Sequence, residues 1–287
     1  MTTASEPGVT SASEPGVTVS GAERITAAIR SANDAARPAI AAFLTAGFPR
    51  RDGFVDLLRA MAAEADLVEL GVPFSDPMAD GLTIQRSSRV ALEAGTTLPW
   101  ILETVALRRE EQSHEDPSDK EDTPILLMSY LNPIMAHGYE RLASDAREAG
   151  VAGLIVPDLP LEESAELRAA LDTDGIALVQ LVTPATPPDR LERVCEASRG
   201  FVYAVTMRGT TGATVKAEDL AEYLERVRGA SSLPVLAGFG VRSADDVEKL
   251  GRIADGVIVG SALVEAIEGG RDPASFVRGL RGEEVAS

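Results

Sequence analysis

Eight short apolar runs, spaced at nearly even intervals, constrain this chain more than any other feature. They are Ala39–Thr45 (AIAAFLT), Leu67–Gly71 (LVELG), Ile125–Tyr130 (ILLMSY), Gly153–Val156 (GLIV), Ile176–Val182 (IALVQLV), Phe201–Val205 (FVYAV), Pro234–Gly238 (PVLAG) and Gly256–Gly260 (GVIVG). Short runs with no polar alternation suit parallel strands buried on both faces. Between them lie stretches of helical spacing, among them Gly53–Glu64, Tyr139–Ala149, Leu161–Leu171, Asp189–Ala197 and Ala217–Arg228. Most neighbouring runs start about 22 to 33 residues apart, room for a strand, a loop and a helix. Eight such units predict an α/β chain folded as a single (β/α)8 TIM barrel, ahead of an open doubly wound sheet. The interval from Leu67 to Ile125 is longer and predicts an extra helix and a long loop. Its tail, RREEQSHEDPSDKEDT at 108–123, is charge-dense and is expected to be a solvated insertion.

The N-terminus repeats ASEPGVT at 4–10 and 12–18, a Ser/Pro/Gly-rich duplication that cannot bury a core. Residues 1–21 are therefore expected to be a disordered low-complexity tail, and 22–287 the catalytic barrel domain. The tail has neither a basic n-region nor an apolar h-region, and no apolar run approaches the roughly 20 residues of a membrane span. A cytoplasmic protein is expected. The formal charge of −18 argues against nucleic acid and anionic membranes as partners. Cys195 is the only cysteine, in an amphipathic stretch, and reads as a packing residue. His114 and His137 lie far apart in polar surroundings and read as surface imidazoles, so no metal site is expected.

In barrels of this kind chemistry gathers at the C-terminal strand ends, and one carboxylate stands there conspicuously. Glu69 interrupts the second apolar run. Alternation along a strand groups Leu67, Glu69 and Gly71 on one face and Val68 and Leu70 on the other. If the first set faces inward, Glu69 lies under the mouth with a raised pKa, suited to proton exchange near neutrality. The competing reading is a buried glutamate satisfied by a neighbouring donor. Asp76 and Asp80 follow in SDPMADG, where Asp before Pro or Gly is also ordinary turn chemistry. Glycines after the late strands, in RGTTG at 208–212, GFG at 238–240 and GS at 260–261, offer backbone amides to a phosphate. The residues alone thus point to acid/base chemistry on a small phosphorylated substrate.

Several blocks go further. ELGVPFSDPMADGLTIQ at 69–85, VPDLPLEES at 156–164, GFVYAVTMRGTTGA at 200–213, AGFGV at 237–241 and ADGVIVGSALV at 254–264 resemble the tryptophan synthase α subunit family, over about residues 22–270. The resemblance implies retro-aldol cleavage of indole-3-glycerol phosphate to indole and D-glyceraldehyde 3-phosphate, with an added N-terminal helix supplied by Glu23–Ala35. It assigns acid/base chemistry to Glu69, contact with the indole nitrogen to Asp80, and a site role to Tyr203. Phe43 and Tyr130 match positions lining the indole pocket, and Thr211 one that closes toward Asp80. Gly212, Gly240, Gly260 and Ser261 match phosphate-binding positions, with Phe239 beside them.

By the same resemblance, Pro73, Asp76, Asn132 and Pro133 match positions facing a β subunit that receives indole in an αββα assembly. Pyridoxal phosphate would belong to that partner, and this chain would carry no cofactor or metal. Leu82 departs from the family's proline and Thr210 from its valine, whereas the glycines and Thr211 remain. Two alternatives stand beside this reading: a free-standing indole-3-glycerol-phosphate lyase that releases indole, and an inactive barrel kept as an allosteric or structural subunit.

Overall fold

A computed structural model describes residues 19–112, 123–206, 217–238 and 240–283. Eight parallel strands close into a barrel in sequence order. They are β1 (Ala39–Thr45), β2 (Leu67–Gly71), β3 (Ile125–Met128), β4 (Gly153–Ile155), β5 (Ala177–Val182), β6 (Val202–Val205), β7 (Val235–Gly238) and β8 (Gly256–Val259). Closure comes from β1 pairing with β8, Ala39 opposite Gly256. Several strands end before the apolar run does, because the next residues already belong to the following helix. Tyr130 is the N-cap of the helix Leu131–His137, and Gly260 that of Ser261–Glu268.

Register decides which residues reach the site. Leu67 packs in the barrel interior with Ala41, Leu126, Val179 and Leu236, whereas Val68 and Leu70 pack outward beneath the helices. A slip of one residue would exchange the two sets and turn Glu69 into the helical layer. The interior is closed from below by the helix Gly21–Asp34, whose Ile25, Ile29 and Ala32 join the inner cluster. Burying Ile25 and Ile29 contributes about 1.5–3 kcal/mol each. A capping box between Ser20 and Glu23 sets the helix start. Long-range bonds hold it, among them Gly21 N–H to the Gly175 carbonyl at 2.8 Å, Thr26 Oγ1 to the Gly200 carbonyl at 2.7 Å and Asn33 Nδ2 to the Asp255 carbonyl at 2.7 Å. This added helix was anticipated at Glu23–Ala35. The repeats at 4–10 and 12–18 lie outside the described residues.

The long interval after β2 holds two helices, Leu82–Glu93 and Leu98–Gln112. Here one expectation fails. Residues 108–112 were expected to be solvated loop but continue the second helix, and Arg108 is buried. Its stem lies on the inner side of a helix packed between Phe54–Glu64 and Tyr139–Ala149, and a charge-based reading overlooks such stems. Residues 113–122, including His114, lie outside the described residues. The run Leu161–Leu171, read as one helix, is a single 3₁₀ turn, Leu161–Glu163, followed by the helix Ala165–Thr173. Ser164 sits between them and donates its hydroxyl to the Leu161 carbonyl at 2.7 Å, the local competition typical of serine.

His137 also departs from the expectation of a surface imidazole. Its side chain is only 7% exposed, and Nε2 lies 2.7 Å from Asp145 Oδ2. The helix Tyr139–Ala149 that carries Asp145 begins two residues later, so the chain folds back over the ring. Cys195 is buried among Leu191, Val194 and Val202, as its amphipathic setting predicts, and burial pushes its thiol up to about 11. No helix among the described residues is long and apolar enough to cross a membrane.

Candidate active site

Glu69 is 1% exposed, and neither carboxylate oxygen has a hydrogen-bond partner among the described residues. Paired registers set it beside Phe43 on β1 and Leu126 on β3. Burial alone pushes its carboxyl up to about 8, so the protonated form predominates at neutral pH. No described residue supplies the donor that a structurally satisfied glutamate would need. Its surroundings form an open cavity of about 570 Å³, whose lining includes Phe43, Asp80, Tyr203, Gly240, Gly260 and Ser261. A second chamber of about 290 Å³ shares Phe43 and Asp80 and adds Gly71, Ser129 and Tyr130.

Asp80 reaches this cavity on the loop after β2, and Tyr130 anchors that loop. The Ala79 N–H donates to the Tyr130 hydroxyl at 2.9 Å, and the Phe74 and Tyr130 rings stack at 5.2 Å. Gln85 Nε2 donates to the Asp80 carbonyl at 2.9 Å and fixes the turn from the helix side. Burial pushes the Asp80 carboxyl up to about 6, with a hydrogen bond from Tyr130 pulling the other way. It is therefore mostly ionised at neutral pH. Burial, then the charge of Asp80, raises the Tyr130 phenol, and Tyr203, buried near Glu69 and Asp80, is held neutral in the same way. Asp76 is the turn residue of the pair: exposed, its Oδ2 accepts from Ser75 Oγ at 2.5 Å.

Two glycines make room for the rings. A Cβ at Gly71 would lie 2.5 Å from Phe43 Cζ, and one at Gly238 would lie 2.3 Å from Tyr203 Cε1. Both contacts are forbidden, so each glycine lets an aromatic ring lie flat across the neighbouring strand end. At the far wall, Gly260 caps the helix Ser261–Glu268, and the helix start, with the unpaired first amides of any such start, lines the cavity. Gly240, with φ of 83°, lines the same wall.

The structure thus brings Glu69, Asp80, Tyr203, Phe43, Gly240, Gly260 and Ser261 around one cavity, with Tyr130 in the adjoining chamber. Thr211, Gly212 and Phe239, expected at the same mouth, lie outside the described residues. Of the positions expected to face a partner, Asp76 and Asn132 are exposed, Pro133 half-buried and Pro73 buried. The sequence reading missed Ile84, Met128, Arg242 and Ile258, which also line the cavity. Ile258 was detectable by strand alternation from Gly256, and Arg242 as the cation directly after the GFGV glycines. Ile84 and Met128 carried no signal separating them from core.

The family model described as tryptophan synthase alpha chain matches residues 29–281. This chain belongs to that family. It is 44% identical to the tryptophan synthase alpha chain of Nitratidesulfovibrio vulgaris over 259 residues, covering 90% of this chain and 97% of the relative. Identity to the alpha chain of Citrifermentans bemidjiense is 47% over 247 residues, 85% of this chain and 89% of the relative. Among solved structures, Mycobacterium tuberculosis tryptophan synthase superposes with a TM-score of 0.81 at 33% identity, covering 94% of this chain and all of the matched chain. The alpha subunit from Legionella pneumophila superposes with a TM-score of 0.79 at 31% identity, over 90% of this chain and 97% of that one. The family's reaction is the lyase cleavage of indole-3-glycerol phosphate to indole and D-glyceraldehyde 3-phosphate, and this chain is the α subunit that performs it.

Proposed function

We propose that Glu69 moves both protons of this cleavage. Retro-aldol scission requires the indole ring to gain a proton at C3, giving an indolenine-like cation. The carbinol hydroxyl loses a proton as the bond between ring and side chain breaks and the aldehyde forms. The proton balance over the two steps is zero, so one carboxyl group that starts protonated can donate to C3 and then accept from the hydroxyl. The observation that carries this reading is a carboxyl group with no partner among the described residues, buried under the mouth and held neutral at physiological pH. Asp80, ionised and tethered through Tyr130, accepts from the ring N–H and stabilises positive charge as it develops. Phe43 and Tyr130 enclose the ring, Tyr203 closes the floor, and amides at Gly240, Gly260 and Ser261 receive the phosphate.

In this reading residues 22–287 act as one cytoplasmic catalytic domain, and released indole passes to a β subunit that carries the pyridoxal phosphate. Exposed Met78, Leu82 and Met135, at 82%, 79% and 58%, supply apolar surface for that partner near the site. The test is an indole-release assay with indole-3-glycerol phosphate, with and without a β subunit, on the parent chain and on Glu69→Gln and Asp80→Asn. Near-parental turnover in Glu69→Gln would remove the proton-transfer role. Full turnover without any β subunit would favour the free-standing lyase.

A further inference from the structure

Among the described residues lining the two chambers, Arg242 is the only positively charged side chain, and it shares its cavity with Glu69 and Asp80. A phosphate dianion approaching through that field meets one ionised carboxylate inside and another just beyond the wall, at Glu265. Backbone amides supply partial charge only, so a guanidinium at the rim would change the balance.

Arg242 already holds an anionic partner. Its Nη2 lies 2.5 Å from Glu265 Oε2, and Glu265 Oε1 accepts from the Thr83 hydroxyl at 3.0 Å. The hydrogen bond from Arg242, foremost, lowers the Glu265 carboxyl below its ordinary value, so the pair is ionic at neutral pH. Both side chains reach solvent, at 61% and 37% exposed, and an ion pair of that kind is held weakly. The backbone beneath is fixed by contrast. The N–H groups of Arg242 and Ser243 each donate to Asp246 Oδ2 at 3.0 Å, within the capping box that opens the helix Ala244–Gly251. The Cα of Arg242 is therefore anchored beside Gly240 while its side chain is free to exchange partners.

We propose that Arg242 is a phosphate-binding residue that exchanges the Glu265 carboxylate for the substrate's phosphate, with Glu265 holding the guanidinium until substrate arrives. A phosphate offers the guanidinium a doubly charged, bidentate partner in place of a singly charged one at the solvent edge. After the exchange Glu265 remains with Thr83, at the start of the helix that follows the Asp80 loop. The exchange makes the site select for a phosphorylated tail through charge as well as shape. This inference rests on the phosphate reading of the glycine wall given above.

The two members of the pair must then act with opposite sign, which a purely structural salt bridge does not do. In the full chain with its β subunit, Arg242→Gln is expected to raise KM for indole-3-glycerol phosphate and the Kd of glycerol 3-phosphate about 10-fold, with the effect on KM rather than kcat. Glu265→Gln is expected to lower both by roughly three-fold, because the competing anion is gone. Arg242→Lys is expected to fall between parent and Arg242→Gln, as a charge without the fork. Circular dichroism and melting temperature verify folding of each variant. Equal weakening by Arg242→Gln and Glu265→Gln would overturn the exchange, as would parental affinity for glycerol 3-phosphate in Arg242→Gln. If the parent chain itself fails to bind glycerol 3-phosphate in competition with substrate, the phosphate wall falls and the inference with it.

Discussion

Two carboxylates stand three residues apart at opposite ends of one strand region, and their treatment differs completely. Asp66, just before β2, accepts from Arg37 Nη1 and Nη2 at 2.7 Å each, from the Ile40 N–H at 2.9 Å and from Arg281 Nη2 at 3.3 Å. Glu69, inside β2, has no partner at all among the described residues. Buried ionic groups are normally paired because desolvation is otherwise uncompensated, and the bottom of this barrel follows that rule. The top breaks it and leaves the group neutral instead. In a (β/α)8 barrel this is the division expected between a face that stabilises and a face that reacts.

That contrast can be broken from either end. The largest effect is expected from Glu69→Gln, which keeps the shape and removes the proton: indole release should fall about 10³-fold with the circular dichroism spectrum unchanged. Retained activity would mean that the isolated carboxylate is a tolerated defect. Next is pH. In the unfolded chain Glu69 titrates near 4.5, and in the folded chain at about 8. Below the lower value both states are protonated and the burial of a neutral carboxyl is fully tolerated. As pH rises toward 8 the unfolded chain releases a proton that the folded one keeps, so stability falls across that window and levels off above it. Glu69→Gln should remove the decline and become the more stable protein at pH 9, by on the order of 3 kcal/mol in urea denaturation. Parallel stability curves for the two proteins would contradict the raised value.

Asp80→Asn should lower turnover about 10²-fold, because an amide cannot supply the negative charge opposed to the ring nitrogen. Its melting temperature at neutral pH should not fall, because burial raises the Asp80 carboxyl to about 6 and the substitution removes a charge the fold already disfavours. The smallest effect belongs to the paired end. Asp66→Asn should lower stability by about 2 kcal/mol, less than a fully enclosed pair because Arg37 is 36% exposed. Cleavage per folded molecule should not change. A large loss of turnover there would mean that the two ends are coupled through β2.

Much of this arrangement was legible in the residues. The eight apolar runs fixed strand number and order, since buried parallel strands and their spacing leave little else to build. The alternation Leu67, Glu69, Gly71 named the inward face, and the structure keeps it. What escaped were features of tertiary contact. Arg108 and His137 look solvated by composition, and only the packing of neighbouring helices buries them. The wall at Gly240, Gly260 and Ser261 was readable as glycine before a helix start, whereas Arg242 gains its setting from Glu265, twenty-three residues away. The break at Ser164 depends on a hydroxyl choosing a nearby carbonyl, which helical spacing alone does not encode.

The helix that closes the base of the barrel has one more consequence. Gly21–Asp34 is made early during synthesis, yet its bonding partners at Gly175, Gly200 and Asp255 emerge more than a hundred residues later. Among the described residues the earliest helix thus depends on some of the latest-made chain for its seat. Until the middle strands have emerged, Ile25 and Ile29 lack most of the inner cluster they join, and a nascent chain cut short before then carries them unsheltered.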